Sequence, residues 1–453
     1  MIVAALLLLI TPAIVFAHAR LLRSTPSAGA WLRSSPTSIR LVFSEMPMVA
    51  VSRIVLLAPN SDTVRLAAVR VDPSDRHAIV AGVPASLDSG TYTVHWSTAG
   101  SDGHAEMGTF AFSIGGALAS SSLETATAPI VGAHRMPGRT RGARVNDAVQ
   151  LALGAPMWAA RWIGFVALFF LIGAVSFRSV ILARIPAQQL ESDGAFRDVA
   201  TIGAATAGMI AAVILVLTSV IKLYGETAGL HDVPARTILF ATSWGWAWLA
   251  QMTACVLAVI AFGMAHRGGK NRGSWTLATI CALILAATPA LTGHAIGSDE
   301  ALFAVPLDVL HVLAGAAWLG TLAMILFVGV GAAAKAPGDI SIGSRVATLI
   351  NAFSPLALIC GGAVVATGIV TSLLHLEPIS RLWTSAYGMT LIVKLALVSL
   401  LFSVGAWNWR RVKPNLGGPE GVRALRFSAK LELSASMLVL AVTAFLVALP
   451  LPE

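Results

Sequence analysis

The chain has 453 residues, 56% of them hydrophobic and only 12% charged, whereas an ordinary soluble domain carries roughly 25% charged residues. This excludes a single soluble globular body, because so much apolar surface needs lipid to cover part of it. The formal net charge of +9 does not point to nucleic acid: in a membrane protein, Lys and Arg gather in the loops retained in the cytoplasm.

The chain opens with an apolar stretch at residues 4–10, followed by Val15-Phe16-Ala17 with small residues at the −3 and −1 positions. That pattern predicts a secretory signal peptide over 1–17 rather than a spanning helix. Cleavage after Ala17 makes His18 the first mature residue. The α-amine and imidazole Nδ1 of one N-terminal histidine can close a chelate ring on a single metal ion. Nitrogen-rich tetragonal sites suit Cu(II).

Residues 18–116 read as a water-soluble domain. Ile39, Leu41 and Phe43 stand at alternate positions and point one way, as do Ile54 and Leu56, then Tyr92, Val94 and Trp96, then Phe110, Phe112 and Ile114. Pro-Ser-Ala-Gly, Ala-Pro-Asn-Ser-Asp and Leu-Asp-Ser-Gly punctuate these runs. Short half-buried strands at this spacing predict an all-β antiparallel sandwich or barrel of Greek-key type, Ig-like or cupredoxin-like. His77 and His95 are expected at its surface. Asp102 and His104 stand two apart, so extended chain would project both to one face.

Three segments carry a family resemblance: His18-Ala-Arg-Leu-Leu-Arg-Ser-Thr-Pro-Ser-Ala-Gly, Leu41-Val-Phe-Ser-Glu45, and Gly90 through Asp102-Gly-His104. Together they resemble the CopC family of periplasmic copper-binding proteins. The resemblance implies a Cu(II) site made by His18, Asp102 and His104, with Glu45 beside it. The His18 amine and imidazole with Asp102 and His104 would supply three nitrogens and one oxygen, a tetragonal set suited to Cu(II). Met46, Met48 and Met107 form no Met-x-x-Met cluster, so a second, soft site is not expected in this domain.

Residues 117–150 contain Ser, Thr, Pro, Gly and four arginines without an apolar period, and read as a tether. Residues 151–453 form the membrane domain. Eight runs there are long enough to span a bilayer, near 157–177, 201–223, 240–264, 274–294, 303–329, 347–374, 387–409 and 429–449. With the β-domain outside, the loops after the odd-numbered runs hold most of the Lys and Arg and are cytoplasmic. Both termini then face outward. Cys255, Cys281 and Cys360 lie in separate apolar runs without a CxxC pair, so no disulfide framework exists and they read as small apolar residues.

Arg161-Trp-Ile-Gly-Phe165, Leu291-Thr-Gly-His294, Leu307-Asp-Val-Leu-His311, Trp318-Leu-Gly320, Thr367-Gly-Ile-Val-Thr371, Tyr387-Gly and Lys394-Leu-Ala-Leu, in that order, resemble the CopD family of copper-resistance membrane proteins. A CopC–CopD fusion implies copper uptake across the bacterial cytoplasmic membrane. The ligands would be the copper ion and lipid, with periplasmic copper chaperones as partners. Ionisable residues within spans are functional hypotheses by default. Here His294 and His311 are the candidate copper ligands, in an oxidation state the sequence leaves open. Asp308, at i−3 on the same helix face, would orient the His311 imidazole. His231 and His375 are expected at the water interface, and Lys394 and Glu432 are expected to pair within the bundle. Two other readings compete: a membrane electron-transfer protein holding haem between helical histidines, and a copper sensor or buffer that transports nothing. No hydrolase triad, phosphate loop or nucleotide motif is present, so no enzymatic activity is expected.

Overall fold

The computed structural model describes residues 20–84, 86–100, 103, 105–115, 141–185, 193–227, 230, 233–268, 271–293, 300–337, 340–375, 380–415 and 419–449. Two compact units emerge, one containing the strands and the other the membrane-competent helices. Residues 1–17, read as a signal peptide, and most of the stretch read as a tether lie outside the described residues. The first helix begins at Arg141, inside the stretch read as tether. Arg, Ala, Gln and Leu there are good helix formers, and no proline intervenes before Pro156.

Among the described residues, nine strands make two sheets: β1 (Leu21–Thr25), β2 (Trp31–Leu32), β3 (Ser38–Phe43), β4 (Arg53–Leu57), β5 (Thr63–Val64), β6 (Arg70–Asp72), β7 (Asp75–Gly82), β8 (Gly90–Ala99) and β9 (Ala105–Ile114). One sheet runs β1-β3-β7-β6 and the other β2-β9-β8-β4-β5. The period-two pattern decides which faces meet. Ile39, Leu41, Phe43, Ile54, Leu56, Tyr92, Val94, Trp96, Phe112 and Ile114 are all buried in one cluster, with Phe110 packed against it. The Phe43 and Trp96 rings meet edge to face at 5.3 Å, and Tyr92 stacks on Phe112 at 5.8 Å. One pairing departs from the antiparallel expectation: β2 runs parallel to β9. Its two residues join the sheet edge after crossing from β1, and that route fixes their direction. Arg40 ties the far edge of the first sheet together through hydrogen bonds to Asp72 and Asp75.

Among the described residues, eight helices are long and apolar enough to cross a membrane. They are α1 (Pro156–Arg184), α2 (Gly194–Gly225), α3 (Ser243–Gly268), α4 (Arg272–Leu291), α5 (Ala301–Lys335), α6 (Ile342–Leu373), α7 (Ala386–Val412) and α8 (Arg423–Leu446). Each coincides with one of the eight apolar runs, and most extend beyond it, because helices continue into their polar flanks. Small residues set the packing. A Cβ on Gly173 of α1 would fall inside the Gly320 carbonyl group of α5, so these two backbones touch directly. Gly208 of α2 seats the Phe262 ring of α3 in the same manner. Trp158 and Trp162 of α1 donate indole N–H groups to the Ala441 and Met437 carbonyls of α8, both at 3.1 Å. In α5 two π-helical turns, Ala316–Gly320 and Ile325–Gly329, rotate the helix just beyond its polar residues. Such turns often mark functional segments.

At one end of the bundle, Arg345 makes a buried fork–fork pair with Asp193, at 2.7 and 2.8 Å. Its remaining donors reach the Ala333, Ala336 and Pro337 carbonyls at 2.8–3.1 Å. The guanidinium thus joins the start of α2, the end of α5 and the start of α6. Every charge-assisted bond it needs is supplied, which is the condition for a buried ion pair to hold.

Candidate functional site

In the β-domain, the chain on either side of the expected ligands comes together. The Ser44 N–H donates to the Arg20 carbonyl at 2.9 Å, and the Arg20 N–H donates to Ser44 Oγ at 3.0 Å. Four residues on, the Met48 N–H donates to the Ala99 carbonyl at 2.8 Å. The segment holding Glu45 is therefore pinned at one side two residues from His18 and at the other three residues from Asp102. Glu45 itself is half-buried just after β3. Ser52 Oγ meets the Oγ1 of fully buried Thr98 at 2.6 Å and donates to the Met48 carbonyl, which closes the floor of this end.

His18, Asp102 and His104 lie outside the described residues. Their connection is still informative. Gly103 has φ +87°, and its N–H closes a turn on the Gly100 carbonyl at 3.0 Å. Extended chain through this point, the basis for placing both side chains on one face, is therefore corrected to a turn. Glycine permits the left-handed conformation there without a Cβ clash. The turn sits between the two longest strands, β8 and β9. His95, expected at the surface, is exposed and bonded to Thr109 Oγ1 at 2.9 Å.

The helices contain a second polar constellation. His311, on α5, holds its Nδ1 2.8 Å from Thr367 Oγ1 on α6, and the ring lies over Gly368. Thr367 spends its own proton on the Ala363 carbonyl at 2.6 Å. The hydroxyl oxygen is then the acceptor, so this contact assigns the proton to Nδ1. Asp308, one turn before His311, is close enough to Lys394 and Tyr387 of α7 to interact electrostatically with both. Lys394 acts in the same way on His311.

The group at His311 Nδ1 is Thr367, whose hydroxyl reaches across from α6 at the ring's own level. One expectation changes at this site. Lys394 does not pair with Glu432, which instead accepts a 2.7 Å hydrogen bond from Asn408 Nδ2 and lies against Gly405. Depth explains the difference. Gly405 lies eleven residues beyond Lys394 on α7, about 16 Å along the axis at 1.5 Å per residue. Asp308 and Lys394 instead stand seven and eight residues from the starts of α5 and α7. Counting from helix ends would have matched them; Thr367 had no signal beyond its place in a family phrase. His294 and His231 lie outside the described residues, as does the side chain of His375. No group of three or more His, Cys, Asp or Glu side chains able to hold a metal occurs among the described residues.

Comparison with known proteins divides the chain the same way. The CopC domain model matches residues 21–115, the Copper resistance protein D-like N-terminal domain matches 151–302, and Copper resistance protein D matches 347–446. The chain is 26% identical to the copper transport protein CutJ of Bacillus subtilis (strain 168) over 408 residues, covering 88% of this chain and 69% of that one. It is 32% identical over 106 residues to the protein YobA of Escherichia coli (strain K12), covering 23% of this chain and 85% of YobA. It is 26% identical over 251 residues to copper resistance protein D of Pseudomonas syringae pv. tomato, covering 53% and 79%.

Proposed function

Because the chain belongs to the family that joins a CopC domain to a CopD-type membrane domain, we propose that it takes copper from outside the cytoplasmic membrane and moves it inward. It is a multi-pass membrane protein of the copper resistance and transport families, and copper is its cargo. In this reading the mature N-terminus faces the periplasm. The His18 amine and imidazole, Asp102 and His104 hold cupric ion with Glu45 alongside, and copper then passes to the helices, with His294 at their outer end. Copper chaperones of the periplasm would load the outer domain. The protein catalyses no chemical conversion of the ion that its own residues would support.

One observation carries the transport step: His311 is half-buried among helices with Nδ1 held by Thr367. An imidazole fixed in that tautomer is a ready metal ligand. Asp308 adds a carboxylate one turn away, and Lys394 balances its charge while no cation is present. A copper ion arriving at Asp308 and His311 displaces that ammonium as the counter-charge. The neutral balance matters because an uncompensated charge among helices is costly.

The test is copper uptake by proteoliposomes together with copper bound per chain. His311→Ala is expected to stop uptake while the outer domain keeps its ion. His18→Ala and Asp102→Ala are expected to lower bound copper by one ion and to slow uptake. Unchanged uptake in His311→Ala would refute the helical site, and unchanged stoichiometry in the other two would refute capture by the β-domain.

A further inference from the structure

Cys255 on α3 and Cys281 on α4 are sealed from solvent, 0% and 1% exposed, and neither is in a disulfide. The two helices are consecutive and antiparallel, and their register is fixed where the Phe262 and Trp275 rings meet edge to face at 5.8 Å. Seven residues back along α3 from Phe262 is Cys255, and six residues forward along α4 from Trp275 is Cys281. At 1.5 Å per residue, the two cysteines therefore lie within about one residue of the same height. Cys255 is also close enough to Cys281 to feel its charge. Beside them on the same two helices, Ala254, Ala258, Ala278 and Ala282 are buried and carry no polar side-chain atom.

We propose that Cys255 and Cys281 form a two-coordinate site for a soft monovalent cation, cuprous ion being the physiological one. Thiolates select Cu(I) among the copper states, and a two-sulfur set is complete for a monovalent d10 ion that accepts linear coordination. Zinc would need four ligands, and among the described residues no third His, Cys, Asp or Glu joins this pair. The charge balance is equally specific. One cation enters, one thiol releases its proton, and the product M(SR)(HSR) is neutral, as a low-dielectric interior requires. The ion arrives already monovalent, so no reductant takes part. This site is separate from the nitrogen and oxygen set at His311 and does not depend on the transport reading.

The probe is silver ion, which mimics Cu(I) without redox chemistry, added to the full-length protein in nanodiscs. After removal of loosely held metal, the wild type is expected to retain one silver ion with sulfur neighbours in its X-ray absorption spectrum. Cys255→Ala and Cys281→Ala are each expected to lose that ion, whereas Cys360→Ala and His311→Ala keep it. In the wild type, bound silver is expected to shield Cys255 and Cys281, but not Cys360, from alkylation, a measurement that needs no variant to fold. Equal silver in all variants, absence of sulfur neighbours, loss of the ion in His311→Ala, or no shielding would each overturn the proposal.

Discussion

The sandwich and the helical bundle hide their apolar residues for different reasons. In the sandwich, Leu41 and Ile79 are drawn inward by water, and both are fully buried between sheets closed by strand hydrogen bonds. In the bundle, lipid is as apolar as leucine, and Leu358, Ile359, Ile369 and Leu400 remain exposed on the outer faces. What locates one helix against another is close backbone approach, as at Gly173 and Gly320, and a few satisfied polar links, as at Arg345. The first region is specified by where its large residues are. The second is specified by where its small and polar ones are.

That contrast can be broken most directly at Gly173. Gly173→Leu should abolish recovery of monodisperse protein after detergent extraction, because the added side chain must occupy the Gly320 backbone. A well-behaved size-exclusion peak would show that the α1–α5 contact does not organise the bundle. Next in size, Arg345→Leu leaves the Asp193 carboxylate enclosed without its cation, at a cost of about 3–5 kcal/mol, read as a lowered melting temperature of the helical domain. Leu41→Ala should destabilise the sandwich by about 2–5 kcal/mol through the cavity it leaves. Hydrogen exchange should rise in the strand peptides and stay unchanged in α1–α8; a simultaneous change in both would mean the two regions unfold as one.

The smallest effect sharpens the comparison at the sandwich edge. The hydrogen bond from Arg40, followed by those from Ser74, holds the Asp72 carboxyl well below its ordinary value. A depressed folded value makes the stabilisation complete above the unfolded carboxylate pKa of about 3.9. It is lost as pH falls through the lower folded value. Exchange protection of β6 and β7 should therefore persist through mild acid and fall only in strong acid, and Asp72→Asn should remove that acid limb. An unchanged limb in the variant would exclude this carboxyl as its origin.

The strands of the sandwich were legible because alternation is a local signal: a residue's neighbours two places away share its face. The eight spans were legible for a similar reason, since length and apolarity are properties of one segment. Their inner detail was not. The Lys394–Glu432 pairing failed because helix partners depend on depth and rotation, which sequence distance does not encode. At Gly103 a positive φ and a bond to the Gly100 carbonyl put a turn where extended chain was expected.

By itself the sequence determined two domains, the strand pattern of the first, the spans of the second, and the residue types able to bind copper. Only tertiary structure decided that Thr367 holds His311, that Asp308 faces Lys394, that Arg345 closes on Asp193, and that two cysteines from different helices share one level. Each of these is a relation across helices, fixed by register and rotation during packing. Such relations are written in the volumes of residues far from either partner.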